Sequence, residues 1–364
     1  MKKTGILTYH RSINYGAVLQ AYALRHTIHK LGYDAEVIDY GKIGQDKLFY
    51  WSTHSIKALI GSIINNFLRL FGERKRLKNF KFFSENIIGI SSKHYFQREE
   101  LIKDLNQYEH IITGSDQVWH PIICEDDMTY FLDLPISPNQ KIAYAPSFGV
   151  KKLSKEQETK YKPLLQQIDH LSIREEAGKE ILKSLLNKEV PIVVDPTLLC
   201  DAQEWDKIAI SPKNKKKYIL FFTVLGEPEG SKEFVYELSK KFNYDIIKIG
   251  DIRDLLNFKY KTGRYSSPQE FIGLIKNAQF VITNSFHGTV FSIIYRKNFF
   301  TFLNKNDRNS RLESITQILG LENRLKKGIS KLPDNLETDY TQAEIKLNIL
   351  KKQSIDFLKN ALNS

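Results

Sequence analysis

Residues 280–291 read FVITNSFHGTVF, and this run limits the possible folds more than any composition figure. Phe280, Val281, Ile282 and Thr283 are the β-branched and aromatic residues of a short buried strand. A helix is expected from Thr289 to Tyr295, leaving only a tight polar junction between the two elements. A strand that passes straight into a helix belongs to a layered α/β fold. It also leaves backbone N–H groups free at the helix start, where they and the helix dipole favour an anion. His287 sits at that junction, and Gly288 would let backbone approach a ligand closely. Ser285 and Thr289 add hydroxyls on either side.

The start of the chain follows the same plan. Gly5–Thr8 reads as a strand, then comes a polar loop through Asn14, Tyr15 and Gly16. Apolar residues at helical spacing (Val18, Leu19, Tyr22, Ala23, Leu24) end at Gly32, and Ala35–Tyr40 is the next strand. A strand–helix–strand unit this early favours a parallel sheet with right-handed crossovers. Residues 41–108 break the rhythm. Ile56, Leu59, Ile60, Ile63, Ile64, Phe67, Leu68 and Phe71 fall on one helical face, followed by the basic, aromatic stretch ERKRLKNFKFF. The expectation is a helical insertion packed on the core; the alternative is docking on a membrane or a lipid-linked substrate.

Further strands are expected at His110–Thr113, Lys141–Ala145, His170–Ile173 and Pro191–Val194. Each leads into polar residues: Gly114-Ser115-Asp116-Gln117, Pro146-Ser147-Phe148-Gly149, Arg174-Glu175-Glu176 and Asp195-Pro196-Thr197. Ligands of open parallel sheets bind beyond the carboxyl ends of the strands, so these clusters point to one shared edge. The lysine-rich link SPKNKKK then precedes a new series of strands at Tyr218–Leu225, Asp245–Ile249, Phe280–Thr283 and Phe299–Leu303. Two Rossmann-like α/β domains facing a cleft follow, spanning residues 1–208 and 209–335. A helical tail over 336–364 is expected to cross back to the first. A chain of 364 residues suits two cores.

Composition removes several classes of function. The two cysteines, Cys124 and Cys200, lie far apart, which argues against a disulfide framework and a cysteine zinc site. The beginning MKKTGILTYHR is too polar for a signal peptide, and no run reaches the roughly 20 apolar residues of a membrane span. A cytoplasmic protein is the expectation. The net charge of +12 fits an anionic substrate or the anionic inner face of a membrane. Nucleic acid is not expected, because no binding motif accompanies the charge.

Chemistry is expected at a few positions. A bound phosphate would favour the imidazolium of His287, making it an acid as well as an anion ligand. Arg174 closes a strand, and its guanidinium suits bidentate capture of carboxylate or phosphate; the plainer reading is an ion pair with Glu175 or Glu176. Asp116 is either a capping carboxylate or a general base for a hydroxyl nucleophile. Asp195, before Pro196, reads as a turn residue and ranks lower. Arg308 and Arg311 follow the last strand and reach toward the same cleft, unless they occupy an exposed loop. No Walker loop, paired-histidine site or nucleophile elbow is present, and no metal is implied.

Taken together, TYHRSINYGAVLQAYAL, ITGSDQVW, YAPSFG, SIREEAGKEIL, VVDPTLL and TNSFHGTVFSIIYRKNFF resemble the polysaccharide pyruvyl transferase family, in that family's order. The resemblance implies a glycosyltransferase-B-like pair of Rossmann-like domains, the first on the acceptor side and the second on the donor side. It implies transfer of pyruvate from phosphoenolpyruvate, as a ketal, to a sugar of a surface polysaccharide precursor, reached as a lipid-linked oligosaccharide. Phosphoenolpyruvate would be a co-substrate, with no cofactor besides. His287 and Arg174 match family residues implicated in donor binding. The strand-end residues Asn14, Tyr15, Gly16, Ser115 and Ser147 would complete the substrate site. Some members carry an arginine two places before the histidine, where this chain has Ser285; Arg308 or Arg311 is expected to supply the missing cation. The competing functions are a glycosyltransferase with a nucleotide-sugar donor and a non-catalytic subunit that binds glycan or membrane.

Overall fold

The computed structural model describes residues 3–41, 72–124, 127–213, 216–252, 254, 257–304, 309–329 and 331–364. Its first half runs β1 (Lys3–Leu7), α1 (Tyr15–Lys30), β2 (Ala35–Tyr40), α2 (Glu73–Phe83), β3 (Ile90–Tyr95), β4 (Tyr108–Thr113), β5 (Lys141–Ala143), β6 (His170–Leu171), α3 (Glu176–Leu186) and α4 (Pro196–Leu199). The second half continues with β7 (Tyr218–Phe222), α5 (Ser231–Phe242), β8 (Asp245–Ile249), β9 (Lys261–Thr262), α6 (Pro268–Asn277), β10 (Phe280–Thr283), α7 (Phe286–Ile294), β11 (Asn298–Phe302), α8 (Ser310–Leu319), β12 (Leu325–Lys326) and α9 (Thr341–Leu362). Further helices, Lys155–Leu165 among them, fill the connections.

The strands form two six-stranded sheets ordered β3-β2-β1-β4-β5-β6 and β12-β11-β10-β7-β8-β9. Every pairing is parallel. Parallel strands covered on both faces need near-continuous apolar runs, and YILFF and FVIT, buried at every position, are such runs. In each sheet the chain reverses its direction of winding between the first and fourth strands, β1/β4 and β7/β10. Loops at such a switch point diverge and leave a crevice for a ligand.

Ile90–Tyr95, inside the stretch expected to be helical, pairs with β2 as an edge strand. Its sequence ISSKHY is half polar because part of this edge faces solvent. Pro191–Val194, expected to be a strand, makes only one bridge, Ile173 to Ile192. The apolar face over Ile56–Phe71 lies outside the described residues. The basic continuation Glu73–Phe83 is a helix whose Phe80 and Phe83 are buried.

One hydrophobic core joins the two halves, running from Ile6, Leu24 and Ile112 through Leu220, Phe222 and Phe291. Tyr15 is its junction: its ring stacks on Phe271 with centroids 4.3 Å apart, and its hydroxyl donates to Ser266 O at 2.8 Å. Arg264 Nε lies 2.7 Å from Glu73 Oε1 beside it. The last helix starts on the second half, where Tyr340 donates to Lys297 O at 2.6 Å. It ends on the first, where Ser354 Oγ accepts from Val194 N at 3.0 Å. Among the described residues no helix is long and apolar enough to cross a membrane.

Candidate active site

Two helix starts meet between the halves. Asn14 caps α1 by accepting from Gly16 N at 2.9 Å and from Ala17 N at 3.4 Å. Ser285 caps α7, its Oγ accepting from Gly288 N at 3.4 Å. His287, in the first turn of α7, lies on the backbone of Gly16 in the first turn of α1: a Cβ at Gly16 would stand 1.9 Å from His287 Nδ1. The positive ends of both dipoles are thus directed at one point.

A buried carboxylate organises that point. Asp195 precedes α4, and its Oδ1 accepts from Thr197 N at 3.0 Å and from Thr197 Oγ1 at 2.6 Å. Its Oδ2 accepts from Arg174 Nη1 at 2.8 Å and from Ser115 Oγ at 3.1 Å, with His287 Nε2 at 3.5 Å. Burial alone would raise the Asp195 pKa, but His287 and Arg174 hold it well below the usual carboxylate range. Arg174 also donates to Ser115 Oγ at 3.2 Å, and its Nε lies 3.5 Å from Glu175 Oε2. Its plainer reading as an ion pair with Glu175 is therefore half the account, since Asp195 is the nearer partner.

Two nitrogens in this cluster make no hydrogen bond, although His287 Nε2 faces Asp195 Oδ2 at 3.5 Å. Arg174 Nη2 and His287 Nε2 are buried without a hydrogen-bond partner. Arg311, from α8, comes to the same place: its guanidinium lies 5.9 Å from the Phe286 ring centre, while that of Arg174 lies 4.7 Å from it. Both arginines line one cavity with Glu175, Asp195 and Phe286. Burial and then the charge of Arg174 lower the Arg311 pKa, with Glu175, Asp116 and Asp195 opposing. Two guanidiniums on that cavity, with an imidazole and two helix starts close by, suit an anion with more than one acceptor group.

Asp116 is close enough to act electrostatically on both arginines. Its φ of 78° is a left-handed conformation that costs an aspartate of order 1 kcal/mol, and it follows the end of β4 directly. Its Oδ1 accepts from Gln117 N at 2.9 Å within a loop that starts no helix, so it is not a helix cap, and its second oxygen is left for other partners.

The remaining expected residues have structural tasks. Ser147 donates to Glu175 Oε1 at 2.5 Å. Thr289 donates to Ser285 O at 3.1 Å and meets Thr301 Oγ1 at 2.7 Å. Gly288 does not make room for a ligand: a Cβ there would lie 2.4 Å from Thr283 Oγ1 and 3.0 Å from Phe222 Cδ1, so it lets α7 sit on its own sheet. Arg308 lies outside the described residues. Sequence reasoning undervalued Asp195, gave Glu175 only as an ion-pair partner of Arg174, and missed Phe286. The available signal for Asp195 was the one that singled out Arg174, a charged side chain closing an apolar run. Among the described residues no group of three or more His, Cys, Asp and Glu is placed to hold a metal ion.

Two parallel sheets with helices, joined across such a cleft, define a glycosyltransferase-B-like α/β protein. The chain is similar over 97% of its length to all of a UDP-GlcNAc 2-epimerase from Methanocaldococcus jannaschii, at 15% identity and a TM-score of 0.51. Over 99% of its length it is similar to 96% of a UDP-N-acetylglucosamine 2-epimerase from Rickettsia bellii, at 13% identity and a TM-score of 0.51. It also matches an Escherichia coli heptosyltransferase crystallised with ADP over 96% of this chain and 99% of that one, at 10% identity and a TM-score of 0.42. At such identities the likeness is one of fold. No curated protein matches the sequence. The chain belongs to the polysaccharide pyruvyl transferase family, whose model matches residues 14–306.

Proposed function

We propose that the protein transfers pyruvate from phosphoenolpyruvate to a sugar, as a ketal, during assembly of a surface polysaccharide. The observation that carries this reading is the buried Arg174 Nη2, which has no hydrogen-bond partner, beside a second guanidinium from Arg311 and the His287 imidazole, whose Nε2 makes no hydrogen bond. Phosphoenolpyruvate has a carboxylate and a phosphate on adjacent oxygen and carbon centres, and that spacing of charge suits two guanidiniums across one aromatic ring. Arg311 then takes the part of the cation that Ser285 cannot supply.

The chemistry needs a proton at the methylene carbon and a nucleophile at the adjacent carbon. His287, facing Asp195, is the acid. Asp116 takes the proton of the attacking sugar hydroxyl with its free oxygen. The C–O bond to phosphate breaks as phosphate leaves with the electron pair, and the neighbouring hydroxyl of the same sugar adds to close the ketal, releasing its proton. Orienting the reactants between two lobes contributes several kcal/mol to such a reaction. The acceptor is a lipid-linked oligosaccharide in this reading, met at the inner face of the membrane.

A thermal-shift series with phosphoenolpyruvate and with UDP- and ADP-sugars tests the donor, since stabilisation follows the ligand that binds the folded state. Stabilisation by phosphoenolpyruvate, lost in His287→Ala, is expected. Stabilisation by a nucleotide sugar alone would replace this reading with a glycosyltransferase.

A further inference from the structure

Beyond the carboxyl ends of β7 and β8 lies a groove of about 830 Å³ that the anion pocket leaves unused. Lys248 lies behind its wall, against the lining residues Thr223, Glu227 and Asp254. That side chain is 1% exposed, donates to Thr223 Oγ1 at 2.8 Å, lies 2.9 Å from Glu227 Oε1, and sits 3.5 Å from the Phe221 ring centre. Its charge is satisfied internally and is not presented to a ligand.

The walls are aromatic and acidic. Tyr236 and Tyr260 pack with ring centroids 5.9 Å apart, and Phe258 at the rim is fully exposed. Two polar atoms in the wall make no hydrogen bond: Tyr260 Oη, and Asp254 Oδ2, which stands 3.9 Å from Lys248 Nζ. The cations at the rim, Lys232 and Lys259, both lie over Tyr236, at 5.9 and 4.7 Å from its ring centre. Among the described residues, the carboxylates of Glu227, Asp251 and Asp254 are matched in number by Lys232, Lys248 and Lys259, so the groove offers a nucleotide or another polyanion no net positive charge. A neutral ring that carries hydroxyl donors on its edge and C–H groups on its face matches both the carboxylates and the aromatic rings.

The groove is tied to the anion pocket by backbone. Asn284, one residue before the cap of α7, accepts from Val224 N at 2.8 Å and donates to Val224 O at 2.9 Å and Gly226 O at 3.3 Å. The loop that borders the groove and the junction that bears His287 are therefore one rigid unit.

We infer that this groove holds the sugar acceptor, with a pyranose face against Phe258 and Tyr260 and a ring hydroxyl donating to Asp254. The inference rests on the reading above that the protein modifies a glycan, and it places the acceptor on the second lobe rather than the first. Saturation-transfer NMR on the full chain, with lactose and the methyl glycosides of glucose, galactose, mannose and N-acetylglucosamine as probes, tests it.

At least one probe should receive saturation from wild-type protein. Transfer should fall about tenfold in Phe258→Ala and in Asp254→Asn, which remove an aromatic face and a charged acceptor from the contact. Phosphoenolpyruvate affinity should stay unchanged in both, and Phe258 is exposed enough for its truncation to leave folding intact. Equal transfer in wild type and variants would overturn the inference, as would wild type that binds phosphoenolpyruvate but none of the sugars. Protein that binds a sugar through these residues but no phosphoenolpyruvate would instead overturn the donor assignment and leave the groove standing.

Discussion

The imidazole of His287 rests on the Cα of Gly16, so that the first turn of a helix in one half forms the seat for the histidine of the other. Any side chain at Gly16 must displace the ring, because a methyl group would stand 1.9 Å from Nδ1. Gly16→Ala is compatible with the helical backbone, so the cost falls on packing, about 1–3 kcal/mol. We expect affinity for phosphoenolpyruvate to drop at least as far as in His287→Ala, with the fold retained by circular dichroism. Unchanged affinity would mean that the ring's position does not matter.

Asp195 makes a pH-dependent prediction. Its folded pKa lies below the ordinary carboxylate value near 3.9. A depressed acid stabilises the fold above its unfolded pKa, and that stability is lost as pH falls through the folded pKa. The stability difference between wild type and Asp195→Asn should therefore be flat from about pH 5 to 8 and shrink only below about pH 4. Its size should be about 3–5 kcal/mol, since the exchange leaves Arg174 buried without its nearest charge. Urea unfolding at several pH values measures it. A difference that disappears near neutral pH would show Asp195 to be uncharged in the folded protein.

The sheets were readable because parallel strands buried on both faces spell continuous apolar runs, as at Tyr218–Phe222 and Phe280–Thr283. The edge strand ISSKHY escaped because solvent on one side permits serine and lysine, and β9 and β12 are two-residue pairings with no periodicity to detect. The strand-end clusters located His287, Arg174 and Ser115 in one place. Asp195 looked like a turn residue because local sequence records only its bond to Thr197. Its bonds to residues 80 and 21 positions away exist only after the sheet has formed.

Arg311 separates binding from stability. Among the described residues it has no carboxylate within ion-pair distance, and its own pKa is lowered by burial and by Arg174. Removing it should leave stability unchanged or raise it slightly. Affinity for phosphoenolpyruvate should fall about 10- to 100-fold, the worth of one charge-assisted contact of about 1.5–3 kcal/mol. Arg311→Lys should recover only part of this, because an ammonium lacks the planar fork. Calorimetry with both variants decides the matter; full affinity in Arg311→Ala would remove the residue from the site.

Gly288 next to the histidine distinguishes a packing role from a ligand-facing one. If it gave a ligand access to backbone, Gly288→Ala would weaken binding and spare stability. The contacts predict the reverse order of events. A Cβ would strike Thr283 Oγ1 at 2.4 Å, within the same strand–helix junction, and Phe222 Cδ1 at 3.0 Å. The helix must then lift from β10 and β7, at about 1–3 kcal/mol. His287 moves with that helix, so binding weakens as a consequence. The companion change Thr283→Ala removes the hydroxyl that the new methyl would meet, along with that hydroxyl's bond from Ser285 N. In the double variant, stability and phosphoenolpyruvate affinity should return together toward those of Thr283→Ala alone. Recovery of stability without affinity would show that the ligand itself needs the space above Gly288.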